Sequence, residues 1–408
     1  MKKAVISLLV LFVTAGAQSP LGLHFPVGMP VQTVTGFSSS MSGSGTGVRN
    51  EKLGLSLNPA NMAMRNRSAF SSLISFDFIQ AKESGTSDVA SEYSPRMLSL
   101  VIPAGFAGNL GFAIQKSSDA AVDFLNEKVV TDNEYGYDER YIGITRTGGM
   151  TSFEGGWGYQ FGNGPSFGVT YKRVYFNLSS SSVFGSVLKN YADSSESTYE
   201  NTLSDGTEKS YSSNGFRMGV LVPLGKLSVG LAGEYMFYNE GNMSHTYQKV
   251  DTTETTSSDF HMHLPPSLTA GIGYEPDEKW LMAADLHATL WERYQTDLEI
   301  TRPLRRAYRV SAGARFIPAP NQLAAKYWEK MHYRAGISYN QFPADGAQEY
   351  ALSLGAGLPI ENDGGLIDII FELGRRTDSR YSDYSENVFR MQLGINGGRN
   401  WFKKNETN

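Results

Sequence analysis

From Ser68 onward the chain alternates apolar residues with small or polar ones at a period of two. Along 366–374, Ile367, Ile369, Phe371 and Leu373 fall on one face, and Asp368, Glu372 and Gly374 on the other. Along 388–396, Phe389, Met391, Leu393 and Ile395 oppose Arg390, Gln392, Gly394 and Asn396. Tyr350, Leu352, Leu354, Ala356 and Leu358 oppose Ala351, Ser353, Gly355 and Gly357, and 308–316 and 333–340 repeat the pattern. Period two means strands. One face is continuously greasy while the other carries charge and glycine, as in a strand with lipid outside and a polar lumen inside. A soluble β-sandwich also alternates, but its outward face is normally rich in Lys, Glu and Thr rather than Gly.

Fourteen segments carry this pattern: 68–82, 95–103, 109–117, 150–161, 166–179, 212–223, 226–244, 259–274, 279–297, 305–317, 331–341, 347–359, 365–377 and 386–397. The pattern therefore predicts an all-β fold, a transmembrane antiparallel barrel of about 14 strands. An even count returns both ends of the barrel to the periplasmic side. Short connections at 104–108, 162–165, 224–225 and 275–278 read as periplasmic turns. Long polar connections at 118–149, 180–211 and 244–258 read as external loops. The linker 319–330 is long for a periplasmic turn, and 322–331 is expected to hold a short helix. Within the second external loop, Val183, Phe184, Val187, Leu188 and Tyr191 recur at helical spacing. Two readings are open there: an amphipathic surface helix whose Phe184, Val187, Leu188 and Tyr191 form an apolar capture patch, or a loop packed on the barrel rim.

The strands are preceded by a different kind of chain. Residues 1–17 read as a secretory signal, with Lys2 and Lys3 before an apolar run and Ala15-Gly16-Ala17 before the cleavage point at Gln18. The apolar run is about ten residues, half of what a spanning helix needs. Residues 18–67 are rich in Gly, Ser and Pro in their first part and show no sustained period. They end in Asn58-Pro59-Ala60. Pro59 fits the first turn of a short helix, and Asn58 is placed to cap it. A short irregular segment before a long run of strands suggests a plug followed by a barrel. The expected division is signal 1–17, hatch 18–67, barrel 68–402 and a periplasmic tail 403–408.

Composition narrows the options. The chain has 408 residues and no cysteine, so neither a disulfide framework nor a thiolate site is available. Its 43 glycines suit tight lumen positions, and its 12% aromatic content suits interfacial girdles. A net charge of −5 gives no reason to expect nucleic acid. His261 and His263 share a strand face without a third ligand nearby, so no metal is expected. Asp285, His287 and Thr289 share a lumen face, but no Gly-x-Ser-x-Gly elbow accompanies them and no enzyme is expected. No cofactor is expected either.

Three features together make the chain resemble the FadL-type outer-membrane transporters of hydrophobic compounds. They are the Gly/Ser-rich N-terminus ending in Asn58-Pro59-Ala60, the fourteen-strand count, and the terminal strand running into Trp401-Phe402. The resemblance implies a hatch inside the lumen. It also implies a bound hydrophobic ligand, typically a long-chain fatty acid, and sideways release through a gap near the third strand. Gly105 and Gly108 precede that strand here. Partners would be the hydrophobic ligand, outer-membrane lipid and the barrel-assembly machinery that reads an aromatic C-terminus. The tail after Phe402 departs from that pattern.

Alternation places Glu154, Arg217, Glu234, Asp285, His287, Arg309, Arg315, Arg334, Asp368, Glu372 and Arg390 on the lumen face. The hatch carries Arg49, Glu51, Lys52, Arg65 and Arg67. Charges in a plugged lumen should be paired, because an unpaired buried charge is costly. A salt-bridge lattice between wall and hatch is the expectation. Arg309, Arg315 and Arg334 are candidates to hold a ligand carboxylate, since guanidinium binds carboxylate bidentately. The leading expectation is passive uptake of hydrophobic compounds across the outer membrane. The alternative is a non-transporting barrel that serves secreted proteins as an adaptor or surface-attachment partner.

Overall fold

The alternating segments pair with their neighbours, each antiparallel to the last, until the final one returns to the first. The computed structural model describes residues 20–399, without 33, 51–52, 84–85, 134–135, 191–196, 250–251, 299–302, 321, 323, 361–364 and 382. Only the backbone is described at 20, 83, 86, 88, 124–133, 136–139, 188–190, 197–201 and 399. The signal, Glu51, Lys52, Tyr191, the Leu188 side chain, Trp401-Phe402 and the tail 403–408 therefore lie outside the described residues.

The strands are β1 (Met29–Pro30), β2 (Ser68–Glu83), β3 (Thr86–Pro103), β4 (Asn109–Lys116), β5 (Ser118–Asp119), β6 (Val122–Asn133) and β7 (Gly136–Gln160). Then come β8 (Ser166–Asn190), β9 (Ser197–Leu224), β10 (Leu227–Met236), β11 (Asn239–Lys249), β12 (Thr252–His263) and β13 (Ser267–Tyr274). The chain finishes with β14 (Trp280–Thr289), β15 (Gln295–Thr296), β16 (Ala307–Phe316), β17 (His332–Gln341), β18 (Ala347–Ile360), β19 (Gly365–Asp378) and β20 (Ser385–Arg399). Fourteen of them form the closed wall: β2, β3, β4, β7, β8, β9, β10, β13, β14, β16, β17, β18, β19 and β20. Closure is the ladder from Ser68↔Arg399 to Lys82↔Ser385.

The apolar face points out. Leu268 (58% exposed), Ile337 (60%) and Leu373 (58%) belong to a belt of exposed large apolar residues that runs around the wall. Such a belt is untenable in water and natural in a bilayer. Aromatic pairs border it at the periplasmic edge, with Trp157 stacked on Tyr159 and Trp280 against Phe316. No helix among the described residues is long and apolar enough to cross a membrane.

Outside the membrane the structure departs from the sequence expectation. The three external "loops" are strands. β7, β8 and β9 continue far beyond the membrane as one antiparallel ladder, from Gly136↔Asn190 and Asn190↔Ser197 downward. β6 pairs with the outer part of β7, and β11 with the outer part of β9. β12 closes the hairpin onto β11. The 183–191 stretch, left open between a surface helix and a rim-packed loop, is also strand as far as Asn190. The Ser-rich, β-branched and aromatic sequence suits a ladder partnered on both sides, and that pairing overrides the helical spacing. Phe184 and Val187 therefore fall on opposite faces and do not form one patch. The expected strands 226–244 and 259–274 are each broken, the second at Leu264-Pro265-Pro266, because proline cannot donate to a ladder. The 279–297 segment ends as a strand at Thr289 and passes into a 3-10 turn, Trp291–Arg293. The linker helix is confined to Tyr327–Lys330.

The third wall position is split. β3 pairs with β4 only from Met97↔Gln115 to Pro103↔Asn109. Above that point β3 pairs with β2 alone, and β6 pairs with β7 alone, among the described residues. Between β4 and β6, residues 117–121 bend inward, and Ser118-Asp119 form a two-stranded sheet with Met29-Pro30 of the hatch.

Candidate functional site: the hatch and the lumen

Residues 20–67 fill the barrel from its outer end to its inner end. At the top, Leu21, Phe25 and Met29 pack with Phe342, Ala344, Ala347 and Tyr384 of the outer loops and strand ends. At the bottom, Leu55 and Met62 pack with Val101 and Ala113 of the wall. The hatch is built of turns, short 3-10 pieces, one α-helical turn (Gly36–Ser39) and the two-residue β1, so many of its backbone groups have no ladder partner. Buried backbone groups need partners, and the wall supplies them from side chains.

Asp285 Oδ2 accepts from the amides of Gly45 (2.9 Å) and Thr46 (2.8 Å). Ser228 Oγ donates to the Gly47 carbonyl at 2.6 Å. The Arg217 guanidinium donates to the carbonyls of Ser56 (2.7 Å) and Leu55. Asn109 Nδ2 donates to the carbonyls of Met62 (2.6 Å) and Arg65 (2.8 Å). At the outer end the Arg146 guanidinium donates to the carbonyls of Gly22 (3.3 Å), Phe25 (2.9 Å) and Pro26 (3.3 Å).

Asn58 sits at the centre of this arrangement and is fully buried. Its Oδ1 accepts from the Ala60 amide at 3.0 Å and caps the 3-10 turn Pro59–Met64. Its Nδ2 donates to the Thr46 carbonyl within the hatch (3.1 Å) and to the Val220 carbonyl of β9 (3.0 Å). One amide thus caps, braces and anchors. The wall makes room with glycine: a Cβ on Gly219 would lie 2.0 Å from Asn58 Oδ1, and one on Gly168 would lie 2.3 Å from the Pro59 carbonyl.

The ion pairs do not run where the sequence suggested. Every named lumen charge faces inward, but among the described residues the ion pairs join wall to wall, and the hatch is held mostly through its backbone. Glu154 pairs with Arg217 (3.2 Å) and Lys172 (3.9 Å), and Lys172 with Glu234 (2.9 Å). On the opposite wall Asp77 pairs with Arg96 (2.6 Å) and Arg390 (3.2 Å). Arg390 also meets Glu372 and Glu349, and Glu349 meets Arg376, which pairs with Glu386 (3.1 Å). The reason is geometric. A hatch of tight turns presents carbonyls and amides rather than long side chains to the wall, and arginine satisfies carbonyls well.

The three candidate arginines separate. Arg334 is buried against Asp368 at 2.6 Å and lies over the Phe37 ring of the hatch at 4.7 Å. Its charge is already satisfied, so it is a structural residue. Arg315 sits near the periplasmic edge, where it reaches the Glu278 carbonyl at 3.5 Å. Arg309 donates to the Ser42 carbonyl (2.7 Å), Asn340 Oδ1 (3.2 Å) and Ser338 Oγ (3.3 Å), with no carboxylate within 4.0 Å among the described residues. Of the three, only Arg309 lines the main lumen cavity, a space of about 400 Å³.

That cavity has two sides. Val27, Val174, Met236, Leu264 and Trp291 line one side, interleaved with Lys172 and Glu234, and Glu349, Glu372, Arg376 and Arg390 make the other side uniformly charged. It also touches Ser117, Ser118 and Asp119 of the inward bend. Lys116 Nζ holds the bend to β3, donating to Glu92 Oε1 (2.9 Å) and Ser94 Oγ (3.1 Å) while pairing with Asp119.

The remaining candidates have ordinary partners. His287 meets Thr269 Oγ1 (2.7 Å) and Thr289 Oγ1 (3.0 Å), while Asp285 is spent on hatch amides rather than on His287. His261 pairs with Asp297 at 2.8 Å, and His263 meets the Met236 carbonyl at 2.8 Å. Asn109, Ser228 and Arg146 were not singled out from sequence. Asn109 opens its strand, and a polar residue facing inward at such a position is the only signal that could have found it.

Solved structures share this architecture. A FadL homologue from Pseudomonas aeruginosa superposes with a TM-score of 0.63 at 13% identity, over 90% of this chain and 99% of its own. The toluene transporter TodX of P. putida gives 0.57 at 14%, over 91% and 99%. The toluene transporter TbuX of Ralstonia pickettii gives 0.57 at 13%, over 90% and 98%. At these identities the likeness is one of fold. No curated protein matches the chain in sequence. The BamG family model matches residues 1–408, the whole length, and the chain belongs to the BamG family of β-barrel proteins.

Proposed function

We propose that this barrel is a passive outer-membrane conduit for hydrophobic compounds, with long-chain fatty acids as the expected cargo and lateral release through the wall. The observation that carries the reading is the split third strand. The inward bend 117–121 lines the lumen cavity and interrupts the ladder between β3 and β6. A lipophilic molecule leaving there enters the bilayer without crossing water, which removes the main cost of moving it. Two of the similar structures are toluene transporters, so an uncharged cargo suits the fold as well.

The chain has no cysteine, so the break can be bridged selectively. Glu92→Cys with Asp119→Cys, joined by a thiol-reactive bismaleimide with a disulfide in its spacer, should stop entry of labelled oleate and toluene into outer-membrane vesicles, and reduction of the spacer should restore it. Full uptake by the bridged protein would remove the lateral route. Absence of uptake by the unbridged, folded protein would remove the transport reading.

A second reading is favoured by a different observation. The β6–β9 and β11–β12 wall outside the membrane is tall and polar, and most of the lumen charges are locked in pairs. An adaptor or attachment partner for secreted proteins would use such a wall, and the BamG name hints in this direction. Shortening the β11–β12 hairpin should then release a stoichiometric partner that co-purifies from native membranes, while leaving uptake unchanged.

A further inference from the structure

Antiparallel partners project from the same face of a sheet. Gly148, Leu178, Lys209, Met243 and Ser258 therefore form one row across β7, β8, β9, β11 and β12. Leu178 is packed inward with Val174, Phe176, Tyr211, Met236 and Phe260, so this row faces the inside of the outer vestibule. Arg146 lies one row nearer the rim, opposite Ser180. Two rows further out, Ile142, Phe184 and Leu203 share the same face, with Ile142 and Phe184 exposed, and the row between them and Arg146 holds Ile144, Ser182, Asp205, Tyr247 and Glu254. Going inward, this face is apolar at Ile142 and Phe184, acidic at Asp205 and Glu254, cationic at Arg146 and Lys209, and apolar again where it meets the lumen cavity at Met150 and Val174.

The two cations differ from the charges deeper in the lumen. Among the described residues neither has a carboxylate within 4.0 Å. Arg146 spends its terminal nitrogens on hatch carbonyls, and its Nε is buried without a partner. The Lys209 ammonium has no hydrogen bond or ion pair among the described residues. Both stand above the membrane-spanning part of their strands. Burial brings Arg146 down to about 10. Burial, and then the Arg146 charge, lowers Lys209 as well. Each shift is what a cation shows when no anion compensates it.

We infer that this face is a binding site for a single-chain amphiphile with an anionic head, the head held by Lys209 with Arg146 behind it and the chain lying along Leu178 and Met243, which line the same cavity as Lys209. It rests on the uptake reading for its place in a route, and it moves the head-group site from the lumen arginines to the vestibule. An anion there supplies the missing countercharge, and the apolar side chains beside and below Lys209 suit a hydrocarbon chain.

The test is binding, not uptake, so its outcome is separate from that of the transport experiment. The purified barrel in nanodiscs is titrated with dansyl-undecanoic acid and with its methyl ester, which differ only in head charge. The acid should bind about tenfold more tightly than the ester. Lys209→Met should erase that preference and leave the ester unchanged, and Lys209→Arg should keep it. Leu178→Asn should weaken both probes alike. Equal binding of acid and ester by the wild type would overturn the proposal. So would a preference that survives Lys209→Met, or one lost instead on Arg309→Met, which would put the head in the lumen. Heat-modifiable migration of each variant confirms that the barrel is folded.

Discussion

At the residue scale, the hatch depends on side chains that satisfy its backbone, and Asn58 does so in three directions. Asn58→Asp keeps the oxygen that caps Ala60 but loses the amide donor, leaving the Thr46 and Val220 carbonyls without it. Each orphaned buried acceptor costs about 1–3 kcal/mol. Amide exchange over 44–64 should therefore accelerate in Asn58→Asp while the wall strands stay protected. Exchange equal to wild type would mean that the cap alone matters. Gly219→Ala should act in the same way, because its Cβ would displace Asn58 Oδ1. The capping role was legible from Asn-Pro in the sequence. The anchor to Val220 was not, since β9 lies 162 positions away and no local pattern encodes a contact of that span. Arg334 teaches a related lesson. Alternation placed it in the lumen, but only the structure shows its pairing with Asp368. Arg334→Met should cost about 3–5 kcal/mol, because it strands a buried carboxylate. Arg334→Met with Asp368→Leu should recover most of that loss in urea unfolding from lipid vesicles. A double variant no more stable than the single would show that the guanidinium's place over Phe37 is the larger contribution.

At the element scale, strands with one greasy face announced themselves and strands without one did not. The membrane segments of β16–β20 alternate because one side meets lipid, and their positions were legible to within a few residues. The upper halves of β7–β9 and the β11–β12 hairpin are largely polar on their outward face, as at Asn177, Ser179, Glu208 and Ser210, all exposed. Period-two contrast is weak there, so Ser/Thr-rich strands look like loops. The split third strand was legible only as a short segment flanked by glycines. Its cause is the hatch, because Met29-Pro30 pair with Ser118-Asp119 and Val31 N donates to the Ser117 carbonyl at 3.1 Å. Gly28 makes that approach possible: its φ is +83°, and a Cβ would lie 2.6 Å from the Asp119 backbone. Gly28→Val should dislodge β1 and release the bend. A spin label at Ala121 should then gain mobility, whereas an unchanged spectrum would mean that Lys116 and its carboxylates hold the bend unaided.

At the scale of the whole molecule, the barrel is turned inside out relative to a soluble protein, with apolar residues on the rim of the wall and charge within. What decides the independence of its two parts is where the charges find partners. Because Asp77, Arg96, Glu349, Glu372, Arg376 and Arg390 are paired among wall strands, the wall does not need the hatch to neutralise it. The hatch needs the wall, since its carbonyls and amides are satisfied by Arg146, Arg217, Asn109, Ser228 and Asp285. The dependence is one-sided, and it predicts the result of removing residues 20–57 while keeping the secretion signal. The wall should still assemble and resist urea about as well as the intact protein, apart from the loss of the apolar contacts that Leu21, Phe25, Phe37, Met41, Leu53 and Leu55 make with it. Planar-bilayer recordings should change from closed to a steady, voltage-insensitive conductance, because nothing else among the described residues fills the lumen at the level of Asn58. A truncated barrel that assembles and stays closed would show that the outer wall, not the hatch, seals the pore. One that fails to assemble would show that the wall's ion pairs form only around the hatch, and that the two parts fold as one.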